Sequence, residues 1–520
     1  MTAAAPVTAG GVSLERSFLV GVGGAGMSGI ATLLAERGWP VAGSDARGSG
    51  TLDELGTVGV RCAVGHRAEN LDLLPGGPTA VIVSTAIRPD NPEVRRAQQF
   101  GVPVVRRAEA LAALMAGARS VCVAGTHGKT STTSMLTVAL HAAGLDPSYA
   151  IGGVLAQPAS DAVPDAVPGA ATGLARAAHS GTGDVFVAEA DESDGSFLAF
   201  APHGAIVTNL EPDHLDHHGT AEAYAAVFDA FTERIQPGGF LVVCADDPGA
   251  DALAGRTGGE RIGGARVVRY GTRVDGPFPP EVRVTVDPTG SAGPGTDQDG
   301  ARTGAAGTVR LADGREVALR LAVPGEHMLL NATAALVAGI ELGVDPYRLA
   351  EGLAAYRGVR RRFERRGTAG GVTVYDDYAH HPTEVRAQLR AARAVVPAGG
   401  RLVVVFQPHL YSRTAAFAGE FATALRSADV VVVLDVYGAR EEPVPGVSGE
   451  LIARSVPTSD APAEGVGGPG GTRTVRYEPD FAVAARTVAG LVRSGDLVIT
   501  MGAGDVTTLG PELLTLLGSR

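Results

Sequence analysis

The sequence predicts an α/β protein built from about three domains with largely parallel sheets. Three observations carry this. Short apolar runs, FLVGV, SVCVA, DVFVA, GAIV, LVVVF, VVVVL and LVIT, alternate with helix-length segments, the pattern of strand–helix–strand units. Two glycine-rich turns each stand between an apolar run and a helical segment. The polar residues of the chain concentrate where the apolar runs end, as they do when ligands bind at the carboxyl ends of parallel strands.

The length of 520 residues suggests about three domains at roughly 100–200 residues each. A first segment, 1–115, reads as FLVGV, a glycine turn, the helix MSGIATLLAERG, and strands WPVAGSD, TAVIVSTAI and VPVVRR. A second, 116–358, opens on SVCVAGTHGKTSTTSMLTVALHAAG and ends after the apolar helix of PGEHMLLNATAALVAGIELG. A third, 359–520, holds GVTVYDDYAHHP, the amphipathic TEVRAQLRAARAVV, RLVVVFQPH, ADVVVVLDVY and GDLVITMGAGD. Three stretches rich in Gly, Ala and Pro, 156–183, 290–307 and 461–471, read as surface insertions.

A hydrophobic fraction of 45% and a charged fraction of 19% suit a soluble protein with several cores. The net charge of −12 argues against a nucleic-acid partner, but not against a nucleotide bound by local donors. The run Phe18–Ala35 is apolar, yet its five glycines make it strand, turn and helix and not a membrane span. The three cysteines, Cys62, Cys122 and Cys244, are widely spaced in or beside apolar runs and read as buried thiols. With an N-terminus lacking leader character, this usage points to the cytoplasm.

The first turn, Gly21-Val-Gly23-Gly24-Ala-Gly26, matches G-x-G-x-x-G between a strand and a helix, with Asp45 ending the next strand. Glycines there let the backbone approach a diphosphate, and taken alone the pattern says NAD or FAD. The second turn, Gly125-Thr126-His127-Gly128-Lys129-Thr130, has the strand–loop–helix setting of a phosphate-binding loop, although Val123 stands where the first glycine of the longer motif would be. Loop N–H groups wrap phosphates, Lys129 meets the β and γ oxygens, and the Thr130 hydroxyl reaches a divalent ion. VAEADESD then offers Glu189, Asp191, Glu192 and Asp194. TNLEPDHLDHH offers Glu211, Asp213, His214 and Asp216, with His217 and His218 expected at the surface. Hard carboxylate oxygens beside a loop threonine suit Mg²⁺. In the third segment Asp376, Asp377, Tyr378, His380, His381, His409, Tyr411 and Arg413 follow apolar strands and mark one cleft. His381, beside Pro382, suits a helix cap equally well.

Taken in order from Gly21 to Asp505, the pieces GVGGAGMSG, GTHGKTS, AEADESD, TNLEPDHLD, PGEHMLLNATAA, GVRRRFE, YDDYAHHPTE, FQPHLYSRT, DVYGAREEP and MGAGD resemble the Mur ligases. YDDYAHHPTE with FQPHLYSRT resembles most closely the alanine-adding branch and its relative that recycles cell-wall peptide. The resemblance implies a Rossmann-like N-terminal domain, a central P-loop ATPase-like domain with a mostly parallel sheet, and a Rossmann-like C-terminal domain. It implies that L-alanine is joined to the carboxylate of UDP-N-acetylmuramate, through an acyl phosphate formed with ATP and Mg²⁺ or Mn²⁺, by a monomer or homodimer. The first turn would then hold UDP and not NAD, through Gly23, Gly24, Gly26, Asp45, Ser84, Thr85 and Ala86. Gly125, Thr126, His127, Gly128, Lys129, Thr130 and Ser131 would hold ATP, with His327 and Asn331 flanking adenine. Thr130, Glu189 and His214 would hold the metal. Tyr378, His380, His409 and Arg413 would bind alanine or the intermediate, with Lys129, His214, His380 and Arg413 catalytic. Two positions depart from the family pattern: Ser131, within GKTST, keeps a hydroxyl, whereas Leu410 stands where many members carry Arg. Rival readings are ligation of a tripeptide, a nicotinamide-dependent oxidoreductase built on Gly21–Asp45, and a nucleotide-sensing module without catalysis.

Overall fold

The computed structural model describes residues 7–156, 176–256, 261–262, 264–274, 279–287, 304–439, 441–458 and 473–519. The chain divides into two compact units, one of residues 1–285, 308–319 and 330–356, the other of 286–307, 320–329 and 357–520.

The first unit carries two large sheets and a two-stranded antiparallel pair, Thr8–Ala9 with Val12–Ser13. In the first large sheet, five parallel strands run in the order Arg61–Val64, Val41–Asp45, Ser17–Val20, Ala80–Val83, Val104–Arg106. Ser17–Val20 is wholly buried, which is why SFLV reads as an unbroken apolar run. Strand order reverses on either side of it, and the turn into the helix Ala25–Glu36 leaves from that switch point, where open α/β sheets bind ligands.

The larger, 11-stranded sheet begins in the order Ala178–His179, Ser148–Ala150, Val185–Glu189, Arg119–Ala124, Gly204–Val207, Phe240–Cys244, Ala265–Gly271. Within this run the first pair is antiparallel and the others are parallel, and Arg261–Ile262 adds antiparallel to Ala265–Gly271. Val121, Val123, Val187, Ile206 and Val242 are fully buried, each side chain contributing about 1.5–3 kcal/mol by leaving water.

In the second unit the order is Glu364–Ala369, Val372–Asp377, Leu497–Met501, Leu402–Phe406, Val430–Leu434, Thr474–Glu478, antiparallel at the first pair and parallel elsewhere. The four inner strands are packed on both faces by separate apolar clusters around Leu402, Val404 and Ile499, and around Val403, Val405 and Val498.

Two expectations need correction. The three Gly-, Ala- and Pro-rich stretches fall largely outside the described residues, but two of their margins are strand and not surface insertion: Ala178–His179 pairs with Tyr149 and Ala150, and Ala305–Arg310 is a strand. Cys122 and Cys244 are buried, whereas Cys62 lies half-exposed on the sheet's edge strand Arg61–Val64. Among the described residues no helix is long and apolar enough to cross a membrane.

Candidate active site

The strand Arg119–Ala124 delivers the chain to Gly125, at φ +126°, and Gly128, at φ +83°, before the helix Lys129–Ala142 begins. Such angles suit glycine, and space demands it as well. A β-carbon on Gly125 would overlap Thr208 Oγ1, and one on Gly128 would stand 2.9 Å from Asn331 Oδ1. The loop is fastened to the exit of the neighbouring strand Gly204–Val207. His127 N donates to Asn209 Oδ1 at 2.7 Å, while Thr208 Oγ1 and Asn209 Nδ2 donate to His127 O at 2.6 and 3.0 Å. Thr126 Oγ1 donates to Glu211 O at 3.0 Å, and His127 Nε2 faces Glu211 Oε2 at 3.5 Å. No side chain caps the helix, so its positive end is left for an anion. Ser131 is buried in its first turn.

Lys129 Nζ donates to Gly125 O at 2.7 Å, Thr126 O at 3.1 Å and Glu192 Oε1 at 2.9 Å. Burial pulls the ammonium down, but the carboxylates of Glu192, Asp191 and Glu189 outweigh it and hold Lys129 above its ordinary range. Glu192 is fully buried, and burial pushes its carboxyl up to about 7 against the pull of Lys129. Tyr224 OH also donates to Glu192 Oε1, at 3.3 Å, while Glu192 Oε2 has no hydrogen-bond partner. Beside this pair, Thr130 Oγ1 donates to Glu189 Oε1 at 3.1 Å and Gly152 N to Glu189 Oε2 at 2.7 Å. The hydroxyl and carboxylate thus juxtaposed are hard oxygen donors, a set that fits a divalent cation such as Mg²⁺. His214, at φ +52°, pairs with Asp213 at 3.7 Å, so of the three expected metal ligands the structure joins Thr130 to Glu189. His217 is exposed, as expected, but His218 is not a surface bystander: its Nε2 lies 3.0 Å from Glu192 O and its ring 5.3 Å from that of Tyr224. Asn331 is buried against the loop, and His327 precedes it by one turn on the helix Glu326–Glu341.

In the first sheet Gly23 N donates to Asp45 Oδ2 at 3.0 Å, so Asp45 braces the glycine turn. Gly24 is the helix N-cap, without a side-chain cap. Ser84, Thr85 and Ala86 lie in the turn after Ala80–Val83, closed by Ile87 N donating to Ser84 O at 3.2 Å. Thr85 lines a cavity of about 210 Å³ with Arg106, Arg107, Asp194 and Ser196.

In the second unit the Tyr378 ring lies 4.9 and 5.0 Å from the Arg361 and Arg362 guanidinium carbons. His380 Nδ1 is 3.1 Å from Tyr378 O and 3.4 Å from Glu384 Oε2, and its ring is 5.9 Å from that of His409. These three expected residues are therefore together, while Arg413 is buried in the first turn of the helix Tyr411–Leu425. His381 is a helix cap, its ring accepting from Thr383 N at 3.4 Å. Asp377 is buried and accepts from Phe363 N and Ala379 N, each at 2.7 Å. Burial pushes its carboxyl up to about 7 against Arg362. Leu410 is buried at φ +68°, so its side chain offers no charged contact. Sequence reasoning missed the loop anchors Thr208, Asn209 and Tyr224, and Arg107.

A glycine-flanked loop with a lysine paired to a buried carboxylate, and a threonine–carboxylate pair at its mouth, define a phosphate-handling α/β protein. Residues 18–119 match the Mur ligase family catalytic domain, 123–339 the Mur ligase middle domain, and 361–504 the Mur ligase glutamate ligase domain. The chain belongs to the Mur ligase family. A UDP-N-acetylmuramate–L-alanine ligase of Saccharopolyspora erythraea is 60% identical over 517 residues, 98% of this chain and 94% of that protein. One from Kineococcus radiotolerans is 55% identical over 510 residues, 98% and 97% of the two chains. The crystal structure of a UDP-N-acetylmuramate-alanine ligase from Thermotoga maritima shares 27% identity at a TM-score of 0.72, covering 97% of this chain and 99% of that one.

Proposed function

We propose that this chain joins L-alanine to the carboxylate of UDP-N-acetylmuramate at the expense of ATP, in cytoplasmic peptidoglycan precursor synthesis. The observation that carries the reading is Lys129, held by buried Glu192 in a glycine-flanked loop beside the Thr130–Glu189 pair, in a chain 60% identical to a UDP-N-acetylmuramate–L-alanine ligase.

A carboxylate is a poor electrophile, so the acid is first activated. Its oxygen attacks the γ-phosphorus of ATP, the bond to the bridging oxygen breaks, and ADP leaves. The alanine amine then attacks the acyl carbon, phosphate departs, and the amine loses a proton. The chain's part is to place the reactants and to balance charge. Lys129 turns from the Gly125 and Thr126 carbonyls towards phosphate oxygens, while Glu192 keeps the ammonium charged and aimed. Thr130 and Glu189 would hold Mg²⁺ or Mn²⁺, which when bound offsets the charge of the phosphates. His327 and Asn331 flank the adenine. The turn Gly23–Gly26, Asp45 and Ser84–Ala86 take the UDP sugar. Tyr378, His380, His409 and Arg413 receive alanine.

Phosphate release measured with each substrate omitted in turn tests this. It should require ATP, a divalent cation, UDP-N-acetylmuramate and L-alanine together. Release driven by an L-Ala-γ-D-Glu-containing tripeptide in place of alanine would transfer the chain to the recycling activity. A nicotinamide absorbance change with bound NAD would reinstate the oxidoreductase.

A further inference from the structure

Arg107 opens the helix Arg107–Met115 directly after the strand Val104–Arg106, and its guanidinium lies over the glycine turn. A β-carbon on Gly26 would stand 2.7 Å from Arg107 Nη1 and 3.2 Å from its Cδ, so the side chain packs directly on this glycine. Arg107 makes no hydrogen bond or ion pair with the described residues and is only half-buried. It lines the cavity of about 210 Å³ together with Thr85, Asp194 and Ser196. Asp194 is turned to its own loop, accepting from Ser196 N at 3.0 Å. The charge of Arg107 also reaches the central sheet. Burial works to raise the Asp191 carboxyl, yet Lys129 and, more weakly, Arg107 help hold it below the usual range.

A planar guanidinium without a hydrogen bond or ion pair among the described residues, packed on a turn whose backbone can approach phosphate, suits a fork across two phosphate oxygens. We propose that Arg107 clamps the diphosphate of the sugar nucleotide against the Gly21–Gly26 turn. The clamp rests on the proposed function and extends it: the first sheet reads the anion through a side chain from the far end of its strand order.

Calorimetric titration of the full chain with UDP, uridine, UDP-N-acetylmuramate and ATP tests the assignment. Arg107→Ala should weaken UDP and UDP-N-acetylmuramate by the same factor, about tenfold to a hundredfold for the loss of charge-assisted hydrogen bonds. Uridine binding should be unchanged, and ATP binding, unchanged within twofold, reports that the variant is folded. Arg107→Lys should fall between wild type and Arg107→Ala, since it keeps the charge without the fork. Weakening of UDP-N-acetylmuramate alone, with UDP unaffected, would move Arg107 to the sugar's carboxylate and overturn the diphosphate assignment. Unchanged affinity for both would remove Arg107 from the site. A wild-type chain that binds ATP but not UDP would instead sink the sugar-nucleotide reading itself.

Discussion

Lys129 Nζ lies 2.9 Å from Glu192 Oε1, and the Glu192 side chain has no exposure to solvent. The loop lysine is therefore held by a carboxylate out of contact with solvent, which loses its counter-charge if the lysine is removed.

Lys129→Ala should lower phosphate release at saturating substrates by roughly a hundred- to thousandfold, as loss of one charge-stabilising donor does. It should also destabilise the fold by about 3–5 kcal/mol, because a buried carboxyl is left without its counter-charge. Adding Glu192→Gln should recover most of the thermal stability and none of the turnover. Equal melting temperatures for the single and double variants would show that Glu192 does not depend on Lys129.

Gly125→Ala should cost about 1–3 kcal/mol in backbone strain alone, with more from the overlap on Thr208. ATP binding should be lost while UDP binding persists. Thermal melts and the two titrations check this, and a variant that binds ATP normally would mean the loop tolerates a side chain there.

Asn209→Ala removes the acceptor of His127 N and a donor to His127 O. The ATP dissociation constant should rise about tenfold, in line with one to two net hydrogen bonds, and the UDP constant should not move. A parallel rise in both would indicate general unfolding of the first unit.

The buried Asp377 carboxyl titrates near 7 in the folded chain against an ordinary 3.8. Between these values the folded state holds a proton that the unfolded chain has released, so stability is full below about 3.8, falls as pH rises to about 7, and levels off above. Asp377→Asn should flatten that part of the profile. Melting curves from pH 4 to 8 measure it, and an unaltered slope in the variant would rule Asp377 out as its source.

The inner strands were legible because they are buried on both faces and so read as unbroken apolar runs, Val121–Ala124 and Val430–Leu434 alike. The loop Gly125–Thr130 was legible because its demands are local: positive φ, an amine and a hydroxyl within six residues. Asn209 and Thr208 were hidden because they act on a segment about 80 positions earlier in the chain, and a polar pair after a strand looks like any loop. Arg107 reads as the last residue of the strand segment VPVVRR, since nothing nearby in sequence announces that it opens a helix and lies over Gly26. Glu192 was visible as one acid among four, but which of them would meet the lysine and which the threonine was decided by the parallel register of Val185–Glu189 on Arg119–Ala124.

Cys62, paired in register with Gly43 beside the strand that ends in Asp45, is the chain's one thiol in reach of solvent, the other two being buried. A thiol-reactive fluorophore will therefore attach at a single place, on the flank of the sheet that carries the glycine turn. The native sequence can be given an optical reporter on that sheet without an engineered cysteine, and it will test whether a sugar nucleotide is taken up there.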